Sequence, residues 1–148
     1  MEKDKYFAKK RKIRGLNMWK ELIISIVIVI IIIVGNIVTQ NYTVSSIEEL
    51  SNSLLELRTQ LEKNEENIKE DDIKDKINKI EEDWHDKHRK FAYYIEHDEL
   101  EKVETDIVSL KSFIESNEYA EATSELDKCT FILKHIEEKY DFSLENIF

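Results

Sequence analysis

The sequence contains no proline and only two glycines, Gly15 and Gly35, among its 148 residues. Glycine lets the backbone turn sharply and approach a bound phosphate, so its absence after Gly35 excludes the glycine-rich phosphate loops of nucleotide-binding folds. The same absence excludes the strained nucleophile elbow of serine hydrolases. A chain of this length that folds without either residue after Gly35 is expected to be a single small module built from helices.

Cysteine is nearly absent as well. Cys129 is the only one, so the chain has no internal disulfide and its stability must come from packing. Cys129 falls within an apolar series and is predicted to be a small buried core residue, with an intermolecular disulfide as the less favoured alternative. No catalytic thiol is predicted.

Basic residues are scarce outside the N-terminus. Residues 1–20 contain eight Lys and Arg against two acidic residues, whereas residues 21–148 contain 14 basic and 30 acidic side chains, a net charge of −16. A region this negative repels the phosphate backbone of DNA and RNA. No nucleic-acid partner is therefore expected.

Polar side chains are almost absent from residues 22–38, where only Ser25, Gly35 and Asn36 interrupt a run of leucine, isoleucine and valine. This run of 17 residues is too long for a strand, for which about 4 to 8 residues are usual. As a helix, residues 19–40 extend about 33 Å, which matches a hydrocarbon core of about 30 Å. The run predicts a transmembrane helix, with the lipid bilayer as one partner.

Basic charge lies on one side of this run only. Six Lys and Arg occupy residues 9–20, and none follows the run until Arg58. The positive-inside rule then places the N-terminus in the cytoplasm and the C-terminus outside, in a single-pass protein of the cell membrane. A cleaved signal peptide is less favoured, because Ile33-Val34-Gly35 is a poor cleavage site. The predicted order is a basic cytoplasmic tail (1–18), a transmembrane helix (19–40) and an acidic extracytoplasmic helical domain (41–148).

Apolar residues after residue 45 recur at intervals of three and four, which is typical of amphipathic helices. Ser46 with Glu49 forms a capping box before the first series, and Asp98 with Glu101 precedes the third in the same way. Asn117 tolerates the left-handed conformation that ends a helix. The four series are Ile47, Leu50, Leu54, Leu57, Leu61 and Ile68; Ile73, Ile77, Ile80, Trp84, Phe91 and Tyr94; Leu100, Val103, Ile107, Leu110 and Ile114; and Tyr119, Ala122, Leu126, Cys129, Leu133, Ile136 and Tyr140.

Short polar segments separate these series, and helices joined by short connections run antiparallel. The predicted fold class is all-α: an N-terminal transmembrane helix followed by an antiparallel helical bundle of three to four helices. A register break between Ile68 and Ile73 predicts a turn there. An alternative keeps the first series continuous with the transmembrane helix as a stalk, which leaves three helices for the bundle. The pattern is compatible with both arrangements.

Groups for catalysis or metal binding are sparse. His85 and His88 lie three residues apart on the predicted second helix, and His97 and His135 are the remaining imidazoles. The carboxylate and third-ligand spacing of known metal motifs is lacking. His88 is instead predicted to lie at a helix interface beside the core residue Trp84. We expect no enzymatic activity, no cofactor and no metal.

Aromatic and apolar residues mark the predicted binding surface. Tyr93 and Tyr94 are adjacent, so they point about 100° apart around a helix and only one is expected to face the core. His97 follows them, and Ile147 and Phe148 end an apolar tail that either docks on the bundle, the favoured interpretation, or waits for a partner. These five residues are the predicted partner-binding residues.

A basic head, one span and an acidic helical region with Trp84, His97-Asp98-Glu99-Leu100 and a terminal Leu144-Glu145-Asn146-Ile147-Phe148 resemble an uncharacterised family of small single-span membrane-anchored proteins from spore-forming Gram-positive bacteria. The resemblance implies a bitopic helical protein that works beside a membrane partner. It implies no activity and no functional residue.

The sequence therefore favours a non-catalytic protein-interaction module outside the membrane, whose partner is another membrane or envelope protein or a second copy of the chain. One alternative is a ligand-sensing bundle that acts through a membrane partner, because a cytoplasmic tail of 18 residues has no room for an output domain. The other is a division-type bitopic coiled-coil protein, against which the register break after Ile68 argues.

Overall fold

The computed structural model describes the backbone of residues 2–140 and the side chains of residues 18–140. That part of the chain contains no strand and four helices, which are α1 (Glu2–Lys63), α2 (Asp71–Phe91), α3 (His97–Ser116) and α4 (Tyr119–Tyr140). The predicted all-α class, with a long apolar N-terminal helix followed by a helical bundle, is thus confirmed. The chain divides into two compact units, Met1–Thr39 and Gln40–Phe148.

In the first unit, the large apolar side chains of residues 18–38 are exposed around the helix. This segment is long and apolar enough to cross a membrane. Single-pass anchors and signal sequences share that length and composition. The helix is therefore compatible with a single-pass membrane anchor.

Helix α1 continues without a break to Lys63, so the predicted helix start at Ser46 is wrong. Ser46 is buried within the helix instead of capping it. The residues before it are already helical, so the backbone N–H groups that a capping box would satisfy bond to the preceding turn. The first series is buried in the bundle, so the bundle has four helices and the alternative that left three helices for it is wrong.

In the second unit, residues 40–63 of α1 and the three following helices form a closed antiparallel bundle. Along α1 and α2, Glu49 pairs with Lys87 and Glu56 with Lys76, so positions rise on one helix as they fall on the other. Each helix is joined to the next by an ion pair, and the ring closes between α4 and α1: Glu49–Lys87, Glu81–Lys111, Glu99–Lys139 and Arg58–Asp127.

The core of this bundle is built from the predicted apolar series. Every member is buried except Tyr94, Tyr119 and Tyr140, which are partly buried and pack against the core from its edge. Trp84 is 1% exposed, which confirms its predicted core position. Its indole Nε1 donates a hydrogen bond to Glu104 Oε2 of α3 at 2.6 Å, so the polar atom of the ring is satisfied.

The connection between α1 and α2 starts earlier than the register break predicted. Helix α1 ends at Lys63, yet Ile68 in the connection is fully buried. Asn117 explains how this loop is held. It ends α3 in the predicted left-handed conformation with φ 63°, its Oδ1 accepts from the N–H of Ile68 at 2.9 Å, and its Nδ2 donates to the carbonyl of Glu66 at 3.2 Å.

The predicted cap of Asp98 with Glu101 is wrong as well. Helix α3 begins at His97 after the N-cap residue Glu96, which makes no side-chain capping bond. The N–H groups of Glu99 and Leu100 bond to the Glu96 carbonyl at 3.1 and 3.3 Å, so the helix has started before Asp98. Helix α2 ends at Phe91, which places Tyr94 and the buried Ile95 in the turn between α2 and α3.

Candidate functional site

The turn between α2 and α3 carries the predicted binding tyrosines. Tyr93 is 90% exposed, whereas Tyr94 is partly buried, so only one of the two faces the core as predicted, although both lie after the end of α2 and not on the helix that the prediction assumed. Thr43 Oγ1 donates to Tyr94 Oη at 2.9 Å, and Tyr140 Oη donates to the Tyr94 carbonyl at 3.0 Å. Burial raises the pKa of Tyr94. Tyr94 therefore holds the turn, and Tyr93 is the side chain that the turn presents.

An aromatic cluster supports this turn from inside the bundle. The ring centroids of Tyr42 and Phe91 lie 5.9 Å apart, those of Phe91 and Tyr94 6.2 Å, and those of Tyr94 and Tyr140 6.3 Å, all edge-on. Edge-on pairs at these separations are favourable. Lys139 adds an ion pair from α4 to the turn, with its Nζ 3.0 Å from Glu96 Oε1. The turn is thus tied to both α1 and α4.

The histidines lie at the surface of α2, α3 and α4. His88 is partly buried with its ring 5.8 Å from that of Trp84, as its predicted interface position requires. His97 is exposed, with its ring 6.4 Å from that of His88 and its Nε2 3.7 Å from Glu101 Oε1. In the part of the chain that the structure describes, no group of three or more His, Cys, Asp and Glu side chains is placed to hold a metal ion.

The remaining predicted binding residues, Ile147 and Phe148, lie outside the described residues. The docking of the apolar tail falls there too. The role of these two residues in binding a partner stays a prediction, as do the roles of Tyr93, Tyr94 and His97.

Two exposed apolar residues, which the periodic series did not include, lie on adjacent helices. Phe131 of α4 is 74% exposed and Leu55 of α1 is 62% exposed. The ion pair between Arg58 and Asp127 fixes the register of α1 and α4. Leu55 is three residues before Arg58 and Phe131 is four after Asp127, which is about 4.5 and 6 Å along antiparallel helix axes, so the two residues lie at a similar level of the bundle. We call this pair the Leu55/Phe131 face.

Phe131 also lines an open groove beside α3. The groove has a volume of about 460 Å³ and contains apolar and charged side chains from both helices, namely Asp106, Ser124, Asp127, Lys128, Phe131 and Ile132. Asp127 is paired with Arg58. Lys128 Nζ lies 2.6 Å from Oε1 of Glu125, a side chain only 15% exposed. Arg58 also pairs with Glu62, so both cations near the groove are engaged by carboxylates other than Asp106.

Asp106 belongs to neither of these ion pairs. Its Oδ2 is buried and accepts no hydrogen bond from any residue within the described range. Burial raises the pKa of the Asp106 carboxyl, and the nearby charge of Glu125 raises it further, while Lys128 opposes both. Burial also raises the pKa of the neighbouring Cys129 thiol to about 12, with a smaller contribution from Asp106, so this cysteine is an inert core residue.

A second groove lies between α2 and α3 and is more polar. It has a volume of about 470 Å³ and is lined by Glu81, Glu82, His85, Asp86 and Glu104. Its carboxylates are partly engaged by the bundle, since Glu81 pairs with Lys111 and Glu104 accepts from Trp84. This groove therefore contributes to packing between the two helices.

No curated protein and no solved structure matches the chain. A family model described as a domain of unknown function, DUF4363, matches residues 41–147. That range covers the bundle and more than half of the chain, and the uncharacterised family that the resemblance implied is confirmed. The chain belongs to the DUF4363 family.

Proposed function

We propose that this protein is a bitopic membrane protein whose bundle serves as a non-catalytic protein-interaction module outside the membrane. The observation that carries the proposal is the Leu55/Phe131 face. Large apolar side chains exposed at the same level of two neighbouring helices are typical of surfaces that a partner covers. The partner is another membrane or envelope protein.

The surroundings of the face support this role. Phe131 is held on a rigid helix, and aromatic residues on rigid elements lose little conformational entropy when a partner covers them. The ion pair of Arg58 with Asp127 borders the face on one side, as polar rims border the apolar centre of protein interfaces. Tyr93 and His97 on the turn between α2 and α3 form a second exposed surface for the same partner.

Anchoring and orientation are part of the proposal. The apolar segment of α1 acts as the anchor, and the basic residues before it, at positions 9–20, keep the N-terminus in the cytoplasm by the positive-inside rule. The bundle then lies outside the membrane, where it meets the exposed parts of membrane and envelope proteins.

The test is photo-crosslinking of the full-length chain in its native membrane. A benzophenone amino acid replaces Phe131 in one variant and Lys79 in the control. Lys79 is an exposed residue of α2, whose ion pairs with other helices, among the described residues, run to α1 and α3 and not to α4, the helix that carries Phe131. We expect a discrete adduct with another protein from position 131 and none from position 79.

An adduct of twice the mass of the chain from position 131 identifies a second copy as the partner and replaces the proposed envelope protein. Equal adduct yields from positions 131 and 79, or no adduct from position 131, contradict the interaction role of the Leu55/Phe131 face.

A further inference from the structure

The groove beside Phe131 combines an apolar wall with a carboxylate whose Oδ2 has no hydrogen-bond donor among the described residues. Phe131 and Ile132 supply the apolar wall, and Asp106 supplies the carboxylate. The other charges of the groove are satisfied by Arg58 and by the pair of Lys128 with Glu125. One carboxylate outside these ion pairs therefore lines the same groove as the exposed ring of Phe131.

A buried carboxylate oxygen without a hydrogen-bond donor is costly. Asp106 Oδ2 is such an atom among the described residues, and burial raises the pKa of the group. A cation that enters the groove opposes this effect, because an opposite charge within a few ångströms favours the ionised carboxylate. The groove is thus complementary to a positive charge rather than to a second anion.

The position of Phe131 restricts the kind of cation further. A long side chain that carries its charge at the tip covers the apolar wall with its methylene stem while the head reaches Asp106. Arginine also stacks on aromatic rings and forms two-pronged hydrogen bonds to carboxylates. A bare metal ion gains nothing from the apolar wall.

Resting on the proposed function, we propose that the partner enters this groove with an arginine or lysine that lies next to an apolar side chain. The apolar side chain covers Phe131, and the cationic head forms an ion pair with Asp106. The occupant is therefore a segment of another protein with one basic residue beside an apolar residue.

The test uses two dipeptides that differ only in charge, N-acetyl-Leu-Arg-amide and its neutral isostere N-acetyl-Leu-citrulline-amide. They are titrated into the full-length chain in micelles, and the δ1-methyl resonance of Ile132 is followed by NMR after assignment with Ile132→Val. We expect the arginine peptide to shift this resonance in a dose-dependent way and the citrulline peptide to bind about tenfold more weakly. The methyl resonance of Ile107 in the core serves as a control for the fold.

Asp106→Asn provides the matched variant. It keeps the size of the side chain and removes the charge, so the preference for arginine should fall to about one while the apolar contact remains. Equal titration by the two peptides, no shift with either, or an arginine preference that survives in Asp106→Asn would overturn the inference. If one of these results is obtained and crosslinking at position 131 still captures a partner, the proposed function stands, and only the inference that the partner binds through a basic residue is wrong.

Discussion

Replacement of Trp84 by alanine is the sharpest perturbation of this bundle. The side chain is 1% exposed, its ring lies 6.2 Å from that of Phe91, and its Nε1 bonds to Glu104 Oε2 at 2.6 Å. Trp84→Ala thus removes the largest buried side chain together with a hydrogen bond between α2 and α3. The two losses act on the same helix interface.

The expected cost follows from these contacts. Truncation of a buried tryptophan to alanine costs about 3 to 5 kcal/mol, a large part of the roughly 5 to 15 kcal/mol that stabilises a small domain. For a unit of about 100 residues, each kcal/mol corresponds to about 4 to 8 °C in Tm, so the melting temperature should fall by about 12 to 40 °C. Trp84→Phe should cost less, because it keeps an aromatic ring in the core while losing the hydrogen bond to Glu104.

The assay is thermal unfolding of the full-length chain in micelles, followed by circular dichroism at 222 nm. His85→Ala is the matched control, since His85 neighbours Trp84 on α2 but is exposed, and it should change the free energy of unfolding by no more than about 0.5 kcal/mol. In a Trp19→Phe background, Trp84 is the only tryptophan, and its fluorescence should be blue-shifted and shielded from iodide. A red-shifted, readily quenched emission, or equal effects of Trp84→Ala and His85→Ala, would refute the packing role.

Four further outcomes are expected. Asn117→Gly keeps the left-handed conformation but loses the hydrogen bonds to the connection between α1 and α2. Asn117→Ala loses the same bonds and adds backbone strain of about 1 kcal/mol. Urea unfolding should therefore show a lower free energy of unfolding for the alanine variant than for the glycine variant. Cys129, with its thiol pKa near 12, should resist iodoacetamide at pH 8 until urea unfolds the chain, and rapid labelling of the folded chain would contradict its burial. Burial raises the pKa of the Asp106 carboxyl above its ordinary value of 3.8. The protonated carboxyl therefore stabilises the fold below pH 3.8, and this stabilisation is lost as the pH rises through the pKa of the folded state. Asp106→Asn should raise Tm at pH 7 but not at acidic pH. Protease added to intact protoplasts should remove the region after Gln40, and protection of that region would reverse the orientation.

The sequence predicted the core because burial in a helical bundle imposes its own period. Residues such as Leu54, Ile107 and Leu133 recur every three or four positions, since one face of each helix must point inward. Residues in turns follow no such period. The sequence therefore did not predict where the connection between α1 and α2 starts, or that Ile95 in the turn between α2 and α3 is buried. The exposure of Phe131 could have been predicted from the sequence. Phe131 lies two residues after the core residue Cys129 and out of phase with the apolar series of α4, so its side chain must face outward.

The predicted capping box at Ser46 was wrong for a different reason, because the helix that enters the bundle starts before Ser46. A cap at Ser46 is a local signal, but a helix that has already started overrides it. The bundle uses the residues before that point: Tyr42 packs edge-on against Phe91, with the centroids 5.9 Å apart, and the buried Thr43 donates to Tyr94. These contacts hold the turn that presents Tyr93, so a fragment that begins at residue 45 loses them and a fragment that begins at residue 41 keeps them. Continuity of α1 through Ser46 is thus what places Tyr42 and Thr43 against the turn.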